Sequence, residues 1–155
     1  MEMVEKVQAC DVEEILALQK TAFREEAELY NDFSISPMTQ TLDEIRREFR
    51  EKTFLKIVEA GRIVGSVRGD CDAAGVCSIG RLVVHPDCRN RGLGRRLMGA
   101  IEACFPDARK YRLFTGNKSV RNIALYEKLG YRRVESPVSA AGTGLVFLEK
   151  SHLDS

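Results

Sequence analysis

The chain has no apolar run approaching the length of a bilayer span, which argues against a helical membrane protein. It also lacks the basic start of a signal or transit peptide, since MEMVEKVQACDVEE is acidic, so the expected home is the cytoplasm. Histidine is scarce. Only His85 and His152 could assist the five cysteines, none of which is in C-x-x-C spacing, so no metal site is expected and the thiols read as reduced and structural. Cys71 and Cys77 flank an expected turn at Asp72 to Gly75 and could lie near each other, but a disulfide would be unusual in a reducing compartment. Internal repeats, low-complexity tracts and interdomain linkers are also missing, so residues 1–155 read as a single domain of ordinary globular composition, long enough to bury a core.

Charge is balanced overall but not along the chain. Residues 1–60 hold 8 Lys/Arg against 14 Asp/Glu, and residues 61–155 hold 16 against 9, which gives halves of −6 and +7 around a total of +1. The basic half suits a phosphate-rich ligand, and the acidic half a cationic one or simply a solvated surface. The basic residues are scattered and lack interleaved aromatics, so a nucleic-acid partner is not expected.

Hydrophobic spacing predicts a strand at Val4 to Ala9. A helix to about Tyr30 follows, with Asp11 and Glu14 as its capping box and Val12, Ile15, Leu16, Gln19 and Phe23 on one face. A loop is expected over Asn31 to Gln40, then a second helix capped by Thr41 and Glu44. Strands follow at Thr53 to Glu59, Arg62 to Asp70 and Val76 to Val84, the last as the central strand. Beyond a glycine-led helix come a strand at Arg109 to Thr115, a helix at Ser119 to Leu129 ended by Gly130, and strands at Tyr131 to Ser136 and Thr143 to Glu149.

The most informative stretch is HPDCRNRGLGRRLM, His85 to Met98. Its two glycines let the backbone turn tightly and approach a ligand, and Leu93, Leu97, Met98, Ile101 and Cys104 recur at helical spacing just after them. Unpaired N–H groups and the positive end of the helix dipole at such a start make a seat for an anion such as a pyrophosphate. The loop lacks the Lys-Ser/Thr of an ATP-binding P-loop and the acidic partner of a dinucleotide-binding unit, so ATP and NAD are disfavoured.

IGRLVVHPDCRNRGLG, from Ile79, resembles the signature of the GCN5-related N-acetyltransferases (GNAT): a strand, a V-x-P turn, then [RQ]-x-x-G-x-[GA] and a helix. NIALYEKLGY, Asn122 to Tyr131, resembles the family's second hallmark. The resemblance implies an α/β (α+β) fold with a mixed, mostly antiparallel central sheet, helices on both faces, and two central strands that splay to admit a thioester arm. It further implies acetyl-CoA as co-substrate, an amine-bearing small molecule or peptide as acceptor, and a tendency to homodimerise that nothing in the sequence decides.

By resemblance, the main chain of Leu82, Val83 and Val84 would hold the pantetheine arm, and Arg89 opens the pyrophosphate loop. Main-chain N–H groups of Asn90, Arg91, Gly92, Leu93, Gly94 and Arg95 would bind the pyrophosphate, with Arg91, Arg95 and Arg96 as further charges. Asn122 and Tyr126 lie four apart and so share a helix face. Asn122 would hydrogen-bond the cofactor, and Tyr126 would be the acid that protonates the departing sulfur. A backbone N–H, expected to be that of Val83, would polarise the carbonyl.

The base is unassigned. Many relatives carry a Glu two residues before the strand's Leu, where this chain has Gly80, and Glu25, Glu26, Glu28, Asp70 and Asp72 are all candidates. Gly80 also motivates the alternative, a non-catalytic acyl-CoA-binding or regulatory domain.

Overall fold

The computed structural model describes residues 3–135 and 144–151. The elements run β1 (Val4–Lys6), α1 (Val12–Leu29), α2 (Ser36–Thr39), α3 (Leu42–Glu51), β2 (Thr53–Glu59), β3 (Arg62–Cys71), β4 (Val76–Val84), α4 (Leu93–Ala103), β5 (Lys110–Gly116), α5 (Val120–Lys128), β6 (Arg132–Val134) and β7 (Leu145–Ser151). One seven-stranded sheet has the order β1-β2-β3-β4-β5-β7-β6, antiparallel except for the β4–β5 pair. The expected order of elements is borne out, with α2 as an added single turn inside the expected loop. The expected strand ends at Ser136 and Thr143 lie outside the described residues.

Helices cover both faces. Alternation along the strands sends Leu55, Ile57 and Ile79 to one face, where they pack with Leu97, Met98 and Ile101 of α4 and Tyr126 of α5. Phe54, Ile63 and Val83 meet Ile15, Leu18 and Ala22 of α1 and Ile45 of α3 on the other. Leu97, Met98 and Ile101 are fully buried, each stabilising the fold by about 2 kcal/mol relative to an exposed side chain. Gly65 on β3 makes the close seating of α4 possible, because a Cβ there would come within 3.0 Å of Leu97 Cδ1.

Local chemistry explains one expectation met and one corrected. Thr41 and Glu44 form the expected capping box, with Thr41 N–H donating to Glu44 Oε1 (2.8 Å) and Glu44 N–H to Thr41 Oγ1 (3.2 Å). Asp11 and Glu14 do not, because tertiary partners claim both carboxylates. Asp11 accepts from Lys56 Nζ (2.6 Å) and Gln8 N–H (2.8 Å), while Glu14 accepts the Ile63 N–H (2.7 Å). The box moves back to Gln8 and Asp11, ahead of a short 3₁₀ turn. Cys71 and Cys77 are cross-strand partners, yet both are free thiols.

The sheet opens where the sequence suggests. β4 pairs with β5 at Val76, Cys77 and Ser78 alone, opposite Lys110 to Arg112, and above that rung the two strands share no ladder. β5 instead continues along β7 as far as Gly116. On its other side β4 carries a bulge, since the register jumps from Ser66↔Val83 to Arg68↔Gly80 and Arg81 takes a left-handed φ of 52°.

Candidate active site

A cleft of about 700 Å³ opens at the splay, bounded by the end of α1, the upper half of β4, the glycine loop and the starts of α4 and α5. Gly92 caps α4 with φ 78°, a conformation that glycine adopts without strain, and a Cβ there would meet nothing within 4 Å. The first turn of α4 has neither a side-chain cap nor an acidic residue, so its N–H groups and positive dipole end face the cleft unopposed.

Ten of the twelve residues expected from sequence line this cleft: Leu82, Val83, Val84, Arg89, Asn90, Gly92, Leu93, Gly94, Arg95 and Asn122. Arg91 and Tyr126 are not among its lining residues. Arg91 turns its guanidinium to Glu59 at the β2–β3 turn, at 3.1 and 2.6 Å, so its side chain is committed elsewhere. Tyr126 is 7% exposed and packs edge-on to Tyr131, while its helix neighbours Asn122 and Leu125 reach the cleft. Burial, and secondarily the charge of Glu26, push the Tyr126 phenol well above its ordinary value, so it stays protonated at neutral pH.

Strand alternation corrects the expectation for Val83. His85 N–H donates to Val64 O (2.7 Å), and Val83 stands opposite Ser66 two residues earlier, so Val83 directs its main-chain groups at β3. Leu82 and Val84 therefore turn theirs to the open side.

The α1 wall carries features that sequence spacing did not single out. Tyr30 Oη accepts the Lys118 N–H (2.7 Å) and meets Ser119 Oγ (3.2 Å), tying the end of α1 to the β5–α5 loop. Ser119 Oγ donates to Glu26 (2.6 Å), and Asn122 Nδ2 approaches the same carboxylate at 3.4 Å. Glu25 accepts from Arg89. Of the five candidate bases, Glu25 and Glu26 reach the cleft. Gly80 is exposed, with no atom within 4 Å of where its Cβ would stand.

A family model described as an acetyltransferase (GNAT) domain matches residues 50–133, from the end of α3 into β6. The chain belongs to the GNAT family.

GNAT structures share its architecture across nearly the whole chain. An acetyltransferase of the GNAT family from Staphylococcus aureus Mu50 superposes with a TM-score of 0.79 at 16% identity, covering 98% of this chain and 99% of that one. PaiA N-acetyltransferase from Thermoplasma acidophilum, solved in complex with coenzyme A, gives 0.75 at 16% identity over 97% and 99%. At these identities the likeness is one of fold. The curated UPF0157 protein YqkA of Bacillus subtilis (strain 168) is 26% identical over 142 residues, 92% of this chain. The chain spans 40% of that relative's length. Among the described residues, no helix is long and apolar enough to cross a membrane.

Proposed function

We propose that this GNAT protein is a cytoplasmic acetyl-CoA-dependent N-acetyltransferase, one domain over residues 1–155, that acylates the amine of a small molecule or peptide by direct attack. The observation that carries the reading is the meeting of two main-chain features in one cleft. The uncapped first turn of α4 suits a diphosphate, and the unladdered edge of β4 suits an amide-bearing arm that pairs as a pseudo-strand. The open Cβ position of Gly92 leaves room for the phosphates to approach.

The bound thioester supplies an activated acetyl group. Around it, N–H groups from Asn90 to Arg95 hold the diphosphate, and the main chain of Leu82 and Val84 holds the arm. The outward N–H of Leu82, in place of that of Val83, would polarise the thioester carbonyl. Asn122 exchanges its long bond to Glu26 for one to the cofactor. Tyr126, kept protonated by burial beneath Asn122 and Leu125, would be the proton source for the departing sulfur. Glu26, in the cleft and held by Ser119, takes the proton of the attacking amine directly or through a water.

The test is release of free CoASH from acetyl-CoA across an amine panel. Amine-dependent release is expected. Saturable binding of acetyl-CoA with no amine-dependent release would overturn the transferase reading in favour of a binding-only domain.

A further inference from the structure

We propose that the acceptor carries a carboxylate as well as its amine, and that Arg81, at the bulge of β4 against α2, is the residue that grips it. The inference deepens the acetyltransferase reading and rests on it for the position of the amine.

Arg81 occupies a conformation that arginine does not favour. A non-glycine residue at φ 52° within a strand persists only where its surroundings enforce it, and a bulge of this kind re-aims a side chain. Here the guanidinium is aimed at α2, where Nη2 donates to Ser36 Oγ at 2.9 Å. Its Nε is buried and meets no acceptor among the described residues. A buried charged N–H without an acceptor is costly, and a carboxylate oxygen is the group that would relieve it.

The charges around it point the same way. Arg68, 3% exposed on β3, is near enough to Arg81 for their charges to repel, and the charge of Glu48 acts on both. Glu48 Oε2 is 3.4 Å from Arg68 Nε and 3.5 Å from Lys52 Nζ, and its other oxygen accepts from Gln40. Lys52 also approaches Asp70, at 3.9 Å. Glu48 is thus shared by Arg68 and Lys52, and Arg81 has no carboxylate within ion-pair distance among the described residues, which a ligand carboxylate would supply. Burial weakens the hold of Arg68 on its proton, to about 10, and lowers Arg81 from its ordinary value, while Glu48 opposes both shifts.

Gly80, the residue before Arg81 and the cross-strand partner of Arg68, has an empty Cβ direction for 4 Å, and Leu82, the residue after it, lines the cleft although Arg81 does not. An amine reaching the cleft past Leu82 could leave its carboxylate at Arg81. The planar fork of a guanidinium pairs with a carboxylate through two parallel N–H groups, which an amide or a neutral chain cannot reproduce.

The experiment compares acids with their amides in two readouts. Calorimetry on the CoASH-loaded protein titrates N-acetyl amino acids and N-acetyl dipeptides against the matching C-terminal amides. Steady-state kinetics compares kcat/KM for the corresponding free amines, so that the two arms distinguish amino acids from peptides as the source of the carboxylate. In both readouts the acids should be preferred about tenfold or more. Arg81→Met should cut that preference below about threefold, and Arg81→Lys should restore part of it. Ser36→Ala, a gentler change on the same contact, should weaken it measurably even if Arg81→Met unfolds. Equal treatment of acids and amides by the parent protein, or an unchanged preference in a folded Arg81→Met, overturns the proposal. Carboxylate-selective binding without transfer would sink the transferase reading and leave Arg81 standing; transfer without carboxylate selectivity would do the reverse.

Discussion

Two polar regions of the molecule are built differently, the cleft from main chain and a separate network behind α2 from side chains. At Leu82, Val84 and the Gly92 to Arg95 turn, main-chain groups are offered to the opening, set by a strand edge, a left-handed glycine and an uncapped helix start. Behind α2 the groups are Gln19, Gln40, Glu48, Arg68 and Arg81, drawn from helices, strands and a loop far apart in the chain. Gln19 Nε2 bonds both Pro37 O (2.9 Å) and Gln40 Oε1 (3.0 Å), and Arg68 Nη2 donates to Gln19 Oε1 (3.0 Å) and Gln40 Oε1 (3.1 Å). A main-chain site is tuned by glycine and sterics, whereas a side-chain site is tuned by charge and can be altered without moving the backbone.

The sharpest way to break the comparison is Gly94→Trp. A Cβ at Gly94 already meets Leu125 at 3.3 Å and Leu82 at 3.9 Å, so an indole must enter the cleft. Losing two charge-assisted contacts to phosphate predicts a fall in CoA affinity on the order of 1,000-fold by calorimetry, with the thermal midpoint close to the parent's. If affinity survives, the diphosphate seat has been assigned to the wrong surface.

The side-chain network behind α2 should respond in stability. Arg68→Ala removes the guanidinium that Glu48, Gln19 and Gln40 share and should cost about 3 kcal/mol in chemical denaturation, reduced from the fully buried case because Glu48 keeps Lys52. A loss under about 1 kcal/mol would mean that the buried network holds little of the fold. Beneath the cleft, Tyr126→Phe should lower kcat by about 10- to 100-fold while leaving CoA affinity near the parent's. Full turnover with an unchanged pH profile would remove Tyr126 from the chemistry.

The smallest effect lies away from both regions, at the Asp11–Lys56 pair. Burial alone would raise the Asp11 carboxyl, but bonds from Lys56 Nζ and the Gln8 N–H outweigh it and hold the group below its ordinary value. A lowered carboxyl contributes stability above its unfolded value, near pH 4, and loses it as pH falls through the folded one. Asp11→Asn should therefore cost less than about 1 kcal/mol at pH 7, and the difference from the parent should shrink below pH 4. A constant difference down to pH 2 would show that the pair's charge is not the cause.

The same division decides what could be read from the sequence. β4 was legible to the residue, and so was the glycine loop, because local periodicity and left-handed glycine chemistry are written in neighbouring positions. Thr41 and Glu44 were legible as a cap for the same reason. The side-chain network was not. Gln19 occupies an apolar helical position, yet it is buried for a polar purpose that depends on Arg68, 49 residues away. Asp11 and Glu14 fit a local cap but were taken by Lys56 and Ile63 from the sheet. Arg91 fits a phosphate loop but pairs with Glu59, 32 residues back. Val83 was assigned the open side because a motif names positions without fixing which rung of the ladder faces β3. In each case a long-range partner outweighed a local pattern.

Amide hydrogen exchange on the protein with and without acetyl-CoA tests the diphosphate seat most directly. Binding should slow exchange at the N–H groups of Gly92, Leu93, Gly94 and Arg95, and at the outward-facing Leu82 and Val84, with little change at Val83, which is already paired to β3. Saturating acetyl-CoA that leaves the Gly92–Arg95 amides unprotected would contradict the site.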